Sequence, residues 1–283
     1  MKRIWGILLL VVAFEALSVD KVVLWNRNYD KPYVREALRN IFELSKEEYG
    51  DYTLEPSQPT EQGRAFADLI NGNRQINLML AGVNREREEK ASAIYLPLDR
   101  GLLGFRVCMV RKEQADFSYV RTLEDFKSND ILVGLGTHWP DKNIFSNHGL
   151  KSINNPVYRN LFPMLREKRF DCLSRSIVEV DQELIEYAED EFKIEPALIF
   201  IYPFGDFMFV KSENIRLKER IEYGMSKALK DNSFYEIFDK HYADILQLHG
   251  MYNRRLLFLE NKDMSQEALL SINQFGIASF LVN

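Results

Sequence analysis

The chain has 283 residues, with 37 Lys and Arg against 42 Asp and Glu, two cysteines and four histidines. That length suits one large domain or two lobes of roughly 100–150 residues, each able to bury its own core. The mild acidity offers no electrostatic footprint for nucleic acid. His138, His148, His241 and His249 are too scattered, and the cysteines too isolated, for a metal site, so no metal or cofactor is expected.

The chain opens MKRIWGILLLVVAFEALSVD. Lys2 and Arg3 precede an apolar run from residue 4 to 14, and Ala16 and Ser18 supply small residues before Val19. The run is short for a bilayer span and ends at Glu15, so residues 1–18 read as a secretory signal peptide, cleaved before Val19, rather than a membrane anchor. Removing Lys2, Arg3 and Glu15 leaves a mature charge near −6.

KVVLWN is β-branched and apolar and reads as a strand. PYVREALRNIFELSKEEYG starts with Pro32, carries an apolar stripe at helical spacing and stops at Gly50. YTLEP is a second strand, TEQGRAFADLINGN a helix ending at Gly72, and QINLMLAG a third strand. The charged stretch REREE at residues 85–89 follows, and it is either a solvated helix start or a segment that turns one arginine inward. Residues 102–110 form a long apolar strand. A second series then runs TLEDFKSN (helix capped by Thr122), DILVGLG (strand), THWPDKNIFSNHG (helix closing at Gly149) and LKSINN (strand). It continues with VYRNLFPMLREKRF (helix), FDCLSR (strand) and SIVEVDQELIEYAEDEF (acidic helix). Apolar strand segments near 198–210 lead into a mostly helical tail.

Two α/β series joined by apolar segments near 102–110 and 198–210 imply two lobes and a two-strand hinge, with a cleft where small-ligand sites tend to lie. Residues 19–109 and 206–283 form lobe 1, and residues 110–205 form lobe 2. Cys108 and Cys172 each sit in an apolar strand. Free buried thiols are expected over a disulfide, because two mid-strand cysteines seldom lie at the required separation.

Motifs in order carry a resemblance: LINGNRQINLML, NREREEKASAIYLPL, VRTLEDFKSNDILVGLGT, KRFDCL and the closing IRLKERIEYGMSKALKDNSFYEIFDKHY. The chain resembles the type II periplasmic solute-binding proteins that capture polar amino acids for ABC importers, over residues 19–242. PLDRGLLGFR, GLGTHWPD and RFDCLSR resemble a divergent branch whose ligands the resemblance does not supply. It implies an α/β, two-lobed fold of that type.

The resemblance places a threonine-x-x-arginine motif on Asn84 and Arg87, so Arg87 would turn inward and grip a ligand carboxylate with its planar fork of donors, while Arg85 and Glu86 face solvent. Asn84 replaces the motif's hydroxyl. GLGTHWPD puts Thr137 at a helix N-terminus, where free N–H groups suit an anion, and Trp139 where it would stack on a ligand or lid the core. The aspartate that pairs with a ligand ammonium in the family is replaced by Ser176, next to Arg175, so Arg87 and Arg175 together point to an anion. Arg175 has an alternative role in an ion pair with Glu179. Gln62 and Arg64 face the cleft mouth, and Tyr29 and Tyr33 lie where the family keeps a stacking aromatic.

No nucleophile elbow, HExxH or Cys–His arrangement occurs. The expected function is therefore not enzymatic: a periplasmic protein that captures a small polar, carboxylate-bearing ligand, amino-acid-like or anionic, for an ABC permease. The alternatives are a ligand sensor or scaffold for a membrane signalling partner, or a secreted dehydratase-type enzyme using Glu179 or His138. A monomer is expected.

Overall fold

The structure is a computed structural model that describes residues 19–73, 76–187 and 190–280. The signal peptide falls outside those residues, as do Gln75 at the start of the third expected strand and Ala188 and Glu189 within the acidic helix.

The first lobe begins with β1 (Asp20–Leu24), α1 (Asn26–Tyr29), α2 (Pro32–Leu44), α3 (Lys46–Tyr49), β2 (Tyr52–Pro56), α4 (Gln62–Asn71), β3 (Met79–Gly82), α5 (Arg85–Lys90) and β4 (Ser92–Ile94). Pro32 at the first turn of α2 needs no N–H partner. Gly72 ends α4 at φ 70°, a left-handed cap that glycine adopts without a Cβ clash. β1 pairs with β2 in parallel, and a bridge from Leu24 to Leu78 brings β3 alongside.

The chain then crosses to the second lobe. A 3₁₀ turn at Leu102–Gly104 stands where the sequence suggested strand, and β5 (Phe105–Arg111) starts after it. α6 (Leu123–Ser128), β6 (Val133–Gly136), α7 (Asp141–Asn147), β7 (Ser152–Asn155), α8 (Leu161–Arg166), β8 (Cys172–Ser176), α9 (Val180–Tyr187), β9 (Phe192–Ile194) and β10 (Leu198–Ile201) follow. The return begins β11 (Asp206–Val210), which pairs antiparallel with both β3 and β4 and so completes the first lobe's sheet. α10 (Ile215–Lys230) and α11 (Ser233–Tyr242) pack on α2.

The tail departs from the expected division. After α12 (Ile245–Leu248), β12 (Arg255–Phe258) pairs in parallel with β10, so it belongs to the second lobe's sheet. α13 (Gln266–Phe275) then returns to the first lobe, burying Ala268 and Ile272 against Phe207 and Phe209. The second sheet runs β12-β10-β5-β8-β6-β7, with β9 also on β5. β5 is buried along its length, with Val107 and Met109 on one face and Cys108 and Val110 on the other. That two-sided burial explains its apolar character, which Arg106 alone interrupts before the strand ends at Arg111.

Cys108 and Cys172 form a disulfide, contrary to the expected free thiols. β5 and β8 are antiparallel neighbours with Cys108 opposite Ser174, so the cysteines sit diagonally across the pair with Cα atoms 4.9 Å apart. The sequence alone did not reveal that the two strands touch.

Candidate functional site

Asp99 organises the crossing between lobes. Its carboxylate accepts backbone N–H groups from Gly101 at 3.3 Å, from Leu103, and from Asp206 at 2.9 Å. It thus ties the outgoing segment to the returning one. The two run so close that a Cβ on Gly104 would stand 2.0 Å from the Tyr202 carbonyl oxygen, a space only glycine fits. Burial, and beyond it the Asp206 charge, push Asp99 up to about 7 against those donors. Asp206 is also raised, chiefly by burial.

Above this floor, side chains from both lobes converge on Glu179, three residues past β8. Lys31, between α1 and α2, reaches across from the first lobe to Glu179 Oε1 at 2.9 Å, and lies 3.9 Å from Asp206. Arg175 reaches Glu179 Oε2 at 2.9 Å, and Arg106 on β5 approaches that oxygen at 3.6 Å. Burial opposes ionisation of Glu179, but Arg175, Lys31 and Arg106 hold its carboxyl well below the usual range. Arg106 also pairs with Asp141 at 2.6 Å, and the Tyr202 hydroxyl donates to the same carboxylate at 2.6 Å. Arg106 meets Glu179 through Nη1, at a distance just beyond hydrogen-bond reach.

Arg87 turns inward. It is 6% exposed, whereas Arg85 and Glu86 face solvent. Asn84 caps α5 by accepting the Arg87 N–H at 3.0 Å. The guanidinium donates to the Gly82 carbonyl, to Gln62 Oε1 at 3.0 Å and, across the cleft, to the His138 carbonyl at 2.9 Å. It also lies over the Phe66 ring. Among the described residues it has no carboxylate within ion-pair distance, and burial pulls its pKa down to about 10.

The other expected site residues are placed differently. Arg175 is not free to meet an anion: it donates through Nε to Glu183 at 2.6 Å, through Nη2 to both Glu183 and Glu179, and lies over the rings of Trp139 and Tyr158. Trp139 therefore stacks on an arginine of its own lobe. Thr137 does not open a helix, since α7 starts at Asp141 behind Pro140. The Thr137 and Trp139 N–H groups are taken by the carbonyls of Asn155 and Gly136. Proline after Trp139 delays the helix because its ring disfavours helical backbone at the residue before it. Ser176 is fully buried, its hydroxyl donating to the Leu102 carbonyl at 2.9 Å. Arg64 is mostly exposed and pairs with Asp68 at 3.1 Å. Tyr29 packs against the first lobe's core beside Arg35, and Tyr33 is buried there, donating to the Leu98 carbonyl.

Lys31, Asp99, Arg106, Asp141 and Asp206 were missed. Arg106 and Asp206 carried a signal: each is a lone charge in an apolar strand, FRVCMV and DFMFV, and a buried charge needs a partner. The cleft is shut. Beside Lys31, Asp99 and Asp206 lies a cavity of about 10 Å³, room for about one water. A wider groove of about 380 Å³ lies outside it, between α9 and the α11–α12 corner.

No family model matches the chain, and no curated protein sequence matches it. Solved structures do. An ancestral arginine-binding protein bound to arginine superposes at TM-score 0.58 and 16% identity, covering 79% of this chain and 98% of that one. A periplasmic His/Glu/Gln/Arg/opine family-binding protein from Silicibacter pomeroyi, in complex with lysine, gives TM-score 0.59 at 12% identity, over 80% and 98%. A histidine kinase sensor domain with similarity to periplasmic binding proteins gives 0.56 at 14%, over 79% and 95%. The chain therefore has the two-lobed type II periplasmic-binding-protein fold, and about a fifth of its length lies beyond the shared part.

Proposed function

We propose that the protein is exported and binds a small amino-acid-like solute between its lobes, with Arg87 holding the solute carboxylate. The observation that carries this reading is Arg87 itself: a buried guanidinium in the cleft whose hydrogen bonds go to neutral acceptors from both lobes. A carboxylate that replaced Gln62 and the His138 carbonyl would supply the missing counter-charge in bidentate geometry. The anionic preference expected from Arg175 is not kept, because Glu179 and Glu183 already neutralise it. A cleft with Lys31, Arg87, Arg106 and Arg175 facing Asp99, Asp141, Glu179, Glu183 and Asp206 suits a zwitterion better than an anion. The amino-acid-binding neighbours on this fold support the class of ligand. The disulfide suits an oxidising compartment.

Because the cleft is shut, entry requires the lobes to part, breaking Lys31–Glu179, Arg87–His138 and the bond from the Tyr158 N–H to Glu61. The closed, loaded form is then presented to a membrane partner, an ABC permease in the first reading. The second reading is a sensor or scaffold, favoured by a cleft whose charges largely satisfy one another and by the sensor-domain neighbour. Catalysis has less support: Glu179, gripped by cations, is a poor proton acceptor, and His138 is exposed.

The test is thermal unfolding against amino acids, dicarboxylates, sugars and short peptides, with Arg87→Ala in parallel. A ligand at 100 times its Kd stabilises by about 2.7 kcal/mol. Stabilisation by one α-amino acid class, lost in Arg87→Ala, supports the reading. A shift retained in the variant removes Arg87 from the site, and no shift with any amino acid moves the weight to the scaffold.

A further inference from the structure

We infer that the tail straps the two lobes together and sets how far they can part. A bilobed chain needs only one segment out and one back, here residues 95–104 and 202–205. This chain crosses twice more. α11 packs on the first lobe, β12 joins the second lobe's sheet, and α13 returns to the first lobe's core. The inference does not rest on the ligand reading, because it concerns the path of the chain.

The last crossing is short. Leu259 is fixed in the second lobe, its N–H donating to the Ile201 carbonyl at 2.9 Å and its side chain buried in that lobe's core. Met264 is fixed in the first lobe, buried in the cluster that holds Phe207, Phe209 and Ile272. Only residues 260–263 lie between. An extended chain spans at most about 3.3–3.6 Å per residue, so the two anchors cannot separate by more than about 18 Å while both stay seated.

The same segment is bonded to both walls of the cleft. Glu260 N–H donates to His148 Nε2 at 3.0 Å, the ring's Nδ1 facing the Ile144 carbonyl. Asp263 Oδ2 accepts from Asn143 Nδ2 at 3.0 Å, and the Asp263 carbonyl accepts the Arg85 N–H at 3.2 Å. Ser265 caps α13 and donates its own N–H to Glu88 at 3.0 Å. Asn143 lies on α7 and His148 at its end, while Arg85 and Glu88 lie on α5. α5 carries Arg87 and α7 follows His138, so the strap joins the two elements that separate when the Arg87–His138 bond breaks.

The tail also braces the hinge. Arg100, in the outgoing segment, sits at φ 52°, a left-handed conformation uncommon outside glycine. Its carbonyl accepts the Ile277 N–H at 3.1 Å, and its Nε donates to the Phe275 carbonyl at 3.0 Å. Its guanidinium lies over Tyr235 and Phe238 of α11. In the returning segment, the Pro203 carbonyl accepts from Asn261 Nδ2 at 3.0 Å. A hinge turns by changing the backbone angles of a few residues, and the tail holds both segments where that change would fall.

The test is the distance between spin labels on Glu89→Cys in α5 and Ser146→Cys in α7, both exposed positions. It is measured by double electron–electron resonance with no ligand added, after refolding from urea to strip any bound solute. The expected result is one narrow, short distance in the labelled parent. Inserting about six Gly and Ser residues after the exposed Lys262 lengthens the strap and leaves both anchors in place. The distance should then broaden and move outward. Asp263→Ala removes the bond to Asn143 without lengthening the strap, and should broaden the distance less. Slow hydrogen exchange in β12 and α13 shows that both ends stay docked in each variant. A parent whose distance is already broad overturns the proposal. So does an insertion variant whose distance matches the parent's, which would leave closure to the cleft's own contacts. Failure of the ligand reading would leave these results unchanged, since no ligand takes part.

Discussion

Replacing Glu179 by glutamine isolates the contact that joins the lobes. Three cations depend on this carboxylate: Lys31 and Arg175 at 2.9 Å each and Arg106 at 3.6 Å. Glutamine keeps the shape but turns one acceptor into a donor aimed at a cation. Glu183 still holds Arg175, and Asp141 still holds Arg106, so the main loss falls on Lys31, left with Asp206 at 3.9 Å. Removing one partner of a buried ion pair costs about 3–5 kcal/mol. At roughly 2–4 °C per kcal/mol for a chain of this size, Tm drops by ~10 °C at pH 7. Glu179 titrates below its unfolded value, so its stabilisation is complete above about pH 4.3 and fades as pH falls toward the folded value. The gap between parent and variant, measured by urea and thermal unfolding, should therefore close below about pH 4. A Tm within a degree or so of the parent at pH 7, or a gap that widens in acid, refutes the argument that this carboxylate holds the cations.

Asp99 moves the opposite way. An acid raised on folding stabilises the native state while protonated, so its contribution is complete below about pH 3.9 and is lost as pH rises through about 7. Carbon-13 NMR of the Asp99 carboxyl should titrate near 7, and a midpoint near 4 would show that the three backbone donors win over burial. The disulfide closes a segment 64 residues long, worth about 4 kcal/mol by chain entropy. The double variant Cys108→Ala, Cys172→Ala should lose stability of that order in urea, and the denatured parent should show no free thiol. Gly104→Ala drives a Cβ into the Tyr202 carbonyl and should destabilise by several kcal/mol. A neutral substitution there would mean the two crossing segments can separate freely.

The lobes were legible because strand and helix punctuation survives in the sequence. Pro32, Thr122, Gly72 and Gly149 mark element ends where each was expected. The inward turn of Arg87 was legible only through the spacing of its motif, since periodicity cannot tell one arginine of a charged run from the next. Pairing was not legible. Whether Cys108 faces Cys172, or Arg175 is claimed by Glu183 eight residues on, depends on which elements the fold brings together. Lys31 lies in a turn with no pattern around it, and its partner is 148 positions away. β12 was missed because four apolar-leaning residues between charges match a loop as well as a strand.

On the reading proposed above, Arg87 holds a solute carboxylate between the lobes. Isothermal titration of α-amino acids into the parent and into Arg87→Ala tests it most directly. The parent should bind at least one α-amino acid one-to-one. Losing a charge-assisted bidentate contact worth about 1.5–3 kcal/mol should weaken that binding at least tenfold in the variant. Equal affinity in the two proteins, or no heat from any amino acid, would contradict it.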